Sequence, residues 1–385
     1  MRPMNYPWFI KLLGGRNNLC ALAFFFIAAM LLPTSTVIGQ DQAFTYYDEA
    51  ETLVKEAYFL ENGLPHGQYL FYDEQGELIQ KGWLESGKKQ GAFVHFFPGT
   101  TDTLRLVTYE RNLRTGEALS FYKSGALAQQ ASFTADQLTG LSTSYYEDGT
   151  VKNKAFFREN LPHGGFESFH PNGNVAERSH YLAGKLHGTQ LIFNENGTLT
   201  ERNSYSFGLQ TGPQITYYSN GKRSSEIHFR KGVKDGISQS YYPDGRIEKT
   251  GTYKKGLPEG TFLTYWEDGS LEEEAHFKSG RPRGQVIAYH ANGQVSRILH
   301  HSNKGVLQLS ESFDESGNII QEAPYLDGSL HGETVNYYPN GQIEERIPYN
   351  NGELHGKYVR FSADGELQIE RNYLRGRKTK EKIHN

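Results

Sequence analysis

Five histidines are the first candidates for chemistry in this chain, because each stands directly before a glycine at a recurring position. They are His66, His163, His187, His331 and His355. Imidazole nitrogens are common metal ligands, but in a repeated β-structure neighbouring members would lie about 10 Å apart, two strand spacings of about 4.8 Å each. One metal ion cannot bridge that distance. We therefore predict hydrogen bonds within the loops that carry these histidines, and no metal site.

Carboxylates are the second candidate group. The runs Glu272 to Glu274 and Glu344-Glu345 could suggest the paired acids of a glycosidase, but they recur with the repeat and are typical of a solvated strand face. The glycine-rich phosphate and dinucleotide loops, the hydrolase nucleophile motif and the zinc-protease motif are absent from the sequence. These absences favour a protein that is not an enzyme and has no cofactor, with an enzyme acting on cell-wall polymers left as one alternative.

A repeat with a period of 24 residues positions these groups. Its first glycine recurs at Gly116, Gly140, Gly164, Gly188, Gly212, Gly236, Gly260, Gly284, Gly332 and Gly356. A second glycine follows nine residues later in almost every copy, as Gly149 follows Gly140. A repeat this regular predicts one elongated body whose core grows by stacking neighbouring copies, and not several separate domains.

Each copy predicts two strands when its positions are counted from the second glycine. Position −4 is aromatic in nearly every copy, as in Tyr217 and Tyr241, and position −6 is often apolar. A spacing of two places both on one face of a strand, which we predict to be the core face. Asp-Gly and Asn-Gly pairs such as Asp244-Gly245 follow, and both residues of such a pair tolerate positive φ in a tight hairpin turn. The predicted fold class is all-β: an elongated, single, twisted antiparallel sheet of about thirteen β-hairpin repeats joined by glycine-bounded loops.

Position −3 is also aromatic through most of the array, and on a strand it would point away from the core face. The aromatic residues there include Tyr122, Tyr146, Tyr218, Tyr242, Trp266 and Tyr338. These rings either stack as a stabilising ladder across strands or form an exposed strip that binds a partner, and the two roles are compatible. We take these six residues as the candidate binding residues.

Residues 1–40 differ from the rest of the chain. Arg2, Lys11 and Arg16 precede an apolar run of 14 residues, Leu19 to Leu32, which is shorter than the ~20 residues of a spanning helix and typical of a secretory signal peptide. The single cysteine, Cys20, begins that run and is badly placed for lipid modification. Removing the segment leaves a formal net charge of −7. We predict a secreted, periplasmic or cell-envelope protein that does not bind nucleic acid.

The remaining chain divides into three parts. Residues 41–62 are predicted to cap the array, residues 63–376 to form it, and residues 377–385 to be a basic C-terminal tail without structure. Two copies are irregular, one with a longer turn between Phe96 and Thr103 and one between His300 and Asp314. Tolerated repeat decay explains both, and a hinge or a notch for a partner is the alternative for the second.

Several segments resemble the MORN repeat family. They are the turn segments Tyr241 to Arg246 and Tyr337 to Gln342 and the loop segments Asn62 to Gly67 and Asn351 to Gly356. They are similar to its bacterial variant repeats, found in proteins labelled as YwqK-type antitoxin components. The resemblance implies a long twisted sheet that scaffolds proteins or, in some members, contacts membrane lipid. Membrane-binding members would be expected to carry basic clusters, and this acidic array carries none, so we expect no membrane contact beyond the signal segment.

The sequence therefore predicts a non-catalytic binding scaffold. Its partner is predicted to be a protein, or a glycan stacked on the aromatic strip. An antitoxin-like immunity component of a toxin–antitoxin system is the alternative that the resemblance suggests.

Overall fold

The computed structural model describes residues 41–384, and all the regular elements in that range are β-strands. They are β1 Asp41–Tyr46, β2 Val54–Glu61, β3 Leu64–Tyr72, β4 Leu78–Glu85, β5 Lys88–Lys89, β6 Gly91–Phe96, β7 Thr103–Glu110, β8 Leu113–Phe121, β9 Leu127–Thr134, β10 Gln137–Tyr145, β11 Val151–Arg158, β12 Leu161–Phe169, β13 Val175–Leu182, β14 Lys185–Leu186, β15 Gly188–Phe193, β16 Leu199–Ser206, β17 Leu209–Gln210, β18 Gly212–Tyr217, β19 Arg223–Arg230, β20 Val233–Tyr241, β21 Ile247–Lys254, β22 Leu257–Tyr265, β23 Leu271–Lys278, β24 Arg281–Tyr289, β25 Val295–His301, β26 Leu307–Phe313, β27 Ile319–Leu326, β28 Ser329–Leu330, β29 Gly332–Tyr337, β30 Ile343–Asn350, β31 Glu353–Leu354, β32 Gly356–Phe361, β33 Leu367–Leu374 and β34 Arg377–Ile383.

Successive strands pair antiparallel and build one long, open sheet, which confirms the predicted fold class. The two-residue strands β5, β14, β17, β28 and β31 are the first parts of strands that continue after a short interruption. Within residues 41–384 there is no helix long and apolar enough to cross a membrane. The predicted signal peptide, residues 1–40, lies outside the described residues.

The Asp-Gly and Asn-Gly segments form turns at one end of the strands, which we call the turn end of the sheet. Between β10 and β11 the Tyr146 N–H donates to the Thr150 carbonyl at 2.8 Å, and the Gly149 N–H donates to the Tyr146 carbonyl at 3.0 Å. Only the glycine has a positive φ, 89°, so this is a type I turn followed by a left-handed glycine. The expectation that both residues of each pair adopt positive φ is therefore wrong.

The glycine-bounded loops lie at the opposite end, the link end, and they are the tight hairpin turns. Glu159 and Asn160 join β11 to β12 with φ of 52° and 66°, and Arg158 pairs with Leu161 across them. Two residues with positive φ make a type I′ turn. A glycine bulge follows, because Gly164 has a φ of 97° and the register shifts beside it. The chain is thus a continuous meander with a hairpin at both ends of the strands, whereas we predicted hairpins joined by loops.

A bulge at the turn end adds one residue to the strand that follows the turn. Between β10 and β11 the extra residue is Lys152 in β11, so side chains alternate along β10 without a break. Position −7 pairs with position +6, and directly paired residues share a face, which we call face A. Positions −6 and −4 lie on the other face, face B, where the Tyr241 hydroxyl at position −4 donates to the Gln239 side-chain oxygen at position −6 at 2.9 Å. The prediction that positions −6 and −4 share a face is confirmed.

The best-buried aromatic rings lie in the middle of face A. At position −7, Phe262 is 8 % exposed, and its partner at position +6, Ala275, is 3 % exposed. Phe93 occupies the equivalent place beside the longer turn and is fully buried. Its ring covers the backbone of Gly82, where an added Cβ would lie 2.4 Å from the Phe93 Cδ1 atom. The core of face A therefore consists of large and small residues that fit together.

The residues predicted to form the core, at position −4, are only half-buried in the regular copies, including Tyr217 and Tyr241. They lie next to the turns, where fewer side chains surround them. Face B also buries apolar side chains at position −6, namely Ile215, Val335 and Val359. A single-layer sheet thus divides its apolar contacts between two faces, and neither face is shielded from solvent along its whole length.

Both ends of the described chain extend the sheet. Strands β1 and β2 in the predicted cap form one more hairpin, and the Tyr47 hydroxyl donates to the Tyr72 carbonyl at 2.9 Å. The predicted unstructured basic tail is strand β34, paired with β33, and its Glu381 carboxylate accepts from Arg371 and Lys378. At the irregular copy, β25 and β26 stay paired across a turn at Ser302 to Val306, so the sheet continues there without a break.

Candidate binding surface at the turn end

Aromatic residues at position −3 form a hydrogen-bonded ladder along the turn end. Each begins its turn, and its polar tip reaches the carbonyl of position −4 in the next copy, 23 residues later. The tyrosine hydroxyls donate from Tyr122 to Tyr145 at 2.7 Å, Tyr146 to Phe169 at 2.9 Å, Tyr218 to Tyr241 at 2.5 Å, Tyr242 to Tyr265 at 2.7 Å and Tyr338 to Phe361 at 2.9 Å. His170 and His290 place Nε2 at the same site, 3.0 Å and 2.9 Å from their carbonyls.

The structure thus brings the six predicted binding residues to equivalent places in one row, all of them half-buried. They lie in the turns and not on the strands, so strand alternation does not decide which face they occupy. The hydroxyls of the five tyrosines are bonded to the next copy, which makes these residues part of a stabilising ladder. Their use in binding stays a prediction.

Asparagine in the turn adds a second contact between copies. The side-chain amides of Asn172, Asn220 and Asn340 donate to the carbonyls of Glu195, Pro243 and Ala363 at 2.7 to 2.9 Å. An aspartate at that position, such as Asp244, has no N–H to donate and instead accepts the Arg246 N–H. Asparagine at this position can therefore tie one turn to the next, as it does at Asn172, Asn220 and Asn340, whereas aspartate cannot.

The ladder predicts a measurable cost for losing one hydroxyl. Tyr242→Phe keeps the ring but removes the donor to the Tyr265 carbonyl, so we expect the free energy of unfolding to fall by ~0.5–1.5 kcal/mol. Urea denaturation measures it. Tyr253→Phe is the matched control, since the Tyr253 hydroxyl has no partner within residues 41–384. Equal stabilities for the two variants would show that the ladder bond contributes nothing.

Trp266 is the aromatic member of the row that makes no ladder bond. Its Nε1 atom is buried and has no hydrogen-bond partner among the described residues. Beside it lies a cleft of about 370 Å³ lined by Thr264, Trp266, Glu272, Glu273, Ala288, Tyr289, Ser296 and Arg297. The cleft therefore lies where the ladder is interrupted.

The carboxylate of Glu273 in this cleft differs from its counterparts in other copies. Glutamates at the same position, +4, accept hydrogen bonds from the residue 13 positions later: Glu177 from Gln190 at 2.7 Å, Glu201 from Gln214 at 2.6 Å and Glu345 from Tyr358 at 2.8 Å. The residue 13 positions after Glu273 is Val286, which has no donor. Within residues 41–384 the charged groups of Glu272, Glu273 and Arg297 make no side-chain hydrogen bond or ion pair.

The electrostatic potential around this part of the turn end is negative. Burial, together with the carboxylates of Glu248, Glu272 and Glu267, raises the pKa of the Tyr242 hydroxyl. The pKa of the Asp268 carboxyl is lowered because it accepts hydrogen bonds from Ser270. Both groups therefore keep their ordinary charge states at neutral pH.

The histidines lie at the link end, away from the aromatic row. The Nδ1 atoms of His163 and His331 accept from the backbone N–H groups of Ala183 and Asn351 at 3.5 Å and 3.4 Å. Glu259 does the same for Ser279 at 2.7 Å. A carboxylate in the place of the imidazole shows that this position supplies a hydrogen-bond acceptor for the next turn. These bonds join neighbouring loops, whereas we predicted bonds within one loop, and the buried Nδ1 atom of His187 has no partner among the described residues.

Sequence reasoning missed Glu273, Ala288, Tyr289 and Arg297 as members of one site. Tyr289 and Arg297 were not singled out from the sequence, and Glu273 was interpreted as part of a solvated face. A signal was present, because Val286 replaces the donor that follows the other glutamates of position +4, Glu177, Glu201 and Glu345. Its meaning needed the contact between copies, which the sequence does not display.

Comparison with known proteins finds the repeat in this chain. A family model described as MORN repeat variant matches residues 138–159, 162–183, 186–206, 210–231, 234–255, 258–279, 309–327, 330–351 and 354–374. No curated protein sequence matches the chain.

Solved structures give distant likenesses only. The crystal structure of TcdB2-TccC3 is 10 % identical, with a TM-score of 0.15, over 87 % of this chain and 23 % of that one. The Tc holotoxin pore of Photorhabdus luminescens is 12 % identical, with a TM-score of 0.15, over 84 % of this chain and 22 % of that one. The chain spans less than a quarter of those chains, and scores this low support no statement on function.

Proposed function

The chain belongs to the MORN repeat variant family, and from that premise we propose that it is a non-catalytic scaffold that binds its partner along the turn end of the sheet. The observation that carries the proposal is the aromatic row, in which Tyr218, Tyr242 and Trp266 occupy equivalent turns of consecutive copies. The hydroxyls of Tyr218 and Tyr242 are bonded inside the protein, but the half-buried rings of all three residues still offer faces to a partner. Aromatic anchors of this kind supply much of the binding energy at interfaces.

The proposed partner is extended, because the row advances by two strands, ~10 Å, with each copy. A protein segment or a glycan chain meets that requirement, and the acidic sheet disfavours nucleic acid and anionic lipid. We place the protein in the cell envelope or outside the cell, following the signal peptide predicted from the sequence. An antitoxin-like role is the alternative, and it requires the captured partner to be a toxin protein.

Capture of a partner from envelope extracts by the full chain tests the proposal. Trp266→Ser should lower capture about tenfold or more, as loss of an aromatic anchor does. Trp83→Ser is the matched control, because Trp83 is 40 % exposed and lies outside the turns, and it should capture as the parent does. Thermal melts of both variants separate lost binding from lost folding. Unchanged capture by Trp266→Ser would remove the turn end as the binding surface.

A further inference from the structure

Building on the proposed binding function, we propose that the cleft beside Trp266 binds one sugar unit of an uncharged, extended β-linked glycan of the cellulose or chitin type. The cleft volume of about 370 Å³ falls in the range of small-molecule sites, ~300–1,000 Å³. The Trp266 side chain lines it, and the flat ring faces of β-linked sugars stack on such a ring. The Tyr289 side chain points to the opposite face of the strand from Ala288. Apart from Trp266 and Ala288, the side chains that line the cleft are polar.

The polar groups of the cleft can both accept a hydrogen bond from a sugar hydroxyl and donate one to it. The carboxylates of Glu272 and Glu273 only accept hydrogen bonds, the Arg297 guanidinium and the Trp266 indole only donate, and the Thr264 and Ser296 hydroxyls do both. None of these side-chain groups has a hydrogen-bond partner elsewhere in residues 41–384. In three other copies the glutamate at position +4 instead accepts a hydrogen bond from the residue 13 positions later.

This mixture favours a sugar over a basic peptide side chain, the other occupant that an acidic aromatic cleft would accept. A lysine or arginine only donates hydrogen bonds, so it would leave the Trp266 N–H without an acceptor and would be repelled by Arg297. A hydroxyl accepts from the indole or guanidinium and donates to a carboxylate at the same time. The sugar therefore uses all the free groups, whereas the basic side chain uses only the carboxylates.

One residue makes this copy different from the other copies that carry a glutamate at position +4. Val286 stands where Gln190, Gln214 or Tyr358 would bond to the carboxylate of the preceding copy, so Glu273 stays free for a ligand. Ala288 pairs directly with both Glu273 and Arg297, and its small side chain leaves space beside the two charges. The site thus arises within the repeat and not from an insertion.

Calorimetric titration of the full chain with soluble cello-oligosaccharides and chito-oligosaccharides tests the proposal, with an oligolysine as the competing probe. One of the two glycans should bind, and Glu273→Gln and Ala288→Leu should each weaken that binding about tenfold or more, since a charged hydrogen bond is lost in one and the space in the other. Glu248→Gln is the matched control, because Glu248 has the repeat position of Glu272 but lies one copy away, outside the cleft. It should bind as the parent does.

Binding of the oligolysine without either glycan would overturn the proposal, as would glycan binding that Ala288→Leu leaves unchanged. Failure of both glycans to bind would overturn it as well. The proposed scaffold function is judged separately, since Trp266→Ser would still lower the capture of a protein partner in that case. If that capture is also unchanged, both proposals fail.

Discussion

Phe93→Ala is expected to lower the free energy of unfolding by ~3–5 kcal/mol, the cost of removing a fully buried aromatic side chain. Phe93 is the largest side chain in residues 41–384 that is buried completely. Its ring contacts the Tyr109 ring edge to face, with centroids 5.1 Å apart, and the Tyr69 ring with centroids 6.0 Å apart. The Gly82 backbone lies beneath it. Alanine would leave a cavity bounded by three neighbouring strands, which the sheet cannot close without moving its backbone.

Urea denaturation followed by circular dichroism measures this cost, with Phe156→Ala as the control. Phe156 is 50 % exposed on face B, so its variant should unfold within ~0.5 kcal/mol of the parent. Each copy of a repeat protein depends mainly on its neighbours, so Phe93→Ala should also broaden the transition by unfolding the N-terminal copies first. A Phe93 variant as stable as the Phe156 variant would mean that the core is not on face A.

The period of the sequence was sufficient to predict the sheet, because a glycine must recur wherever a turn needs a left-handed residue. Glycine positions alone did not distinguish the two turn types. Glu159 and Asn160 adopt positive φ without any glycine, whereas Asp148 keeps a negative φ although it stands before one. The hydrogen bonds across each turn decide these conformations, and they depend on the strand register, which composition does not reveal.

The faces were harder to predict than the strands. Alternation correctly predicts that Thr143 and Tyr145 share a face, but it does not say which of the two faces is packed more tightly. The best-buried residues lie on the other face, at positions −7 and +6. Several of those positions hold small or polar residues, such as Ala131 and Asn203, which a search for conspicuous apolar residues overlooks.

The candidate site, too, could be predicted only in part from the sequence. The aromatic row at position −3 was visible in the sequence, since one residue type recurs at one spacing. The ladder bond of Tyr242 was not visible, because its acceptor is the Tyr265 carbonyl, a backbone group that every residue carries. The cleft at Trp266 was also hidden, since it depends on Val286 lacking a donor for Glu273 in the preceding copy. Contacts between copies therefore separate what the sequence predicts from what the structure adds.

Gly251→Ala is the second change with a large expected effect, and it tests whether the rings of face A are held in place. An added Cβ at Gly251 would lie 2.2 Å from the Phe262 Cδ1 atom. The Phe262 ring cannot easily turn aside, because it packs edge to face on Tyr253 and Phe277 with centroids 5.5 Å and 5.2 Å away. We expect the free energy of unfolding to fall by ~1–3 kcal/mol, the usual cost of overpacking.

Gly165→Ala supplies the control, because Gly165 is also a strand glycine without positive φ, and an added Cβ there would meet no atom within 4 Å. That variant should be as stable as the parent or gain ~0.4–1 kcal/mol from the stiffer unfolded chain. A double-mutant cycle then identifies the cause: in a Phe262→Leu background Gly251→Ala should lose most of its cost, since the ring that it clashes with is gone. A cost that persists in that background would place the strain in the backbone of β21, and the packing of glycine under phenylalanine would no longer explain why this strand position lacks a side chain.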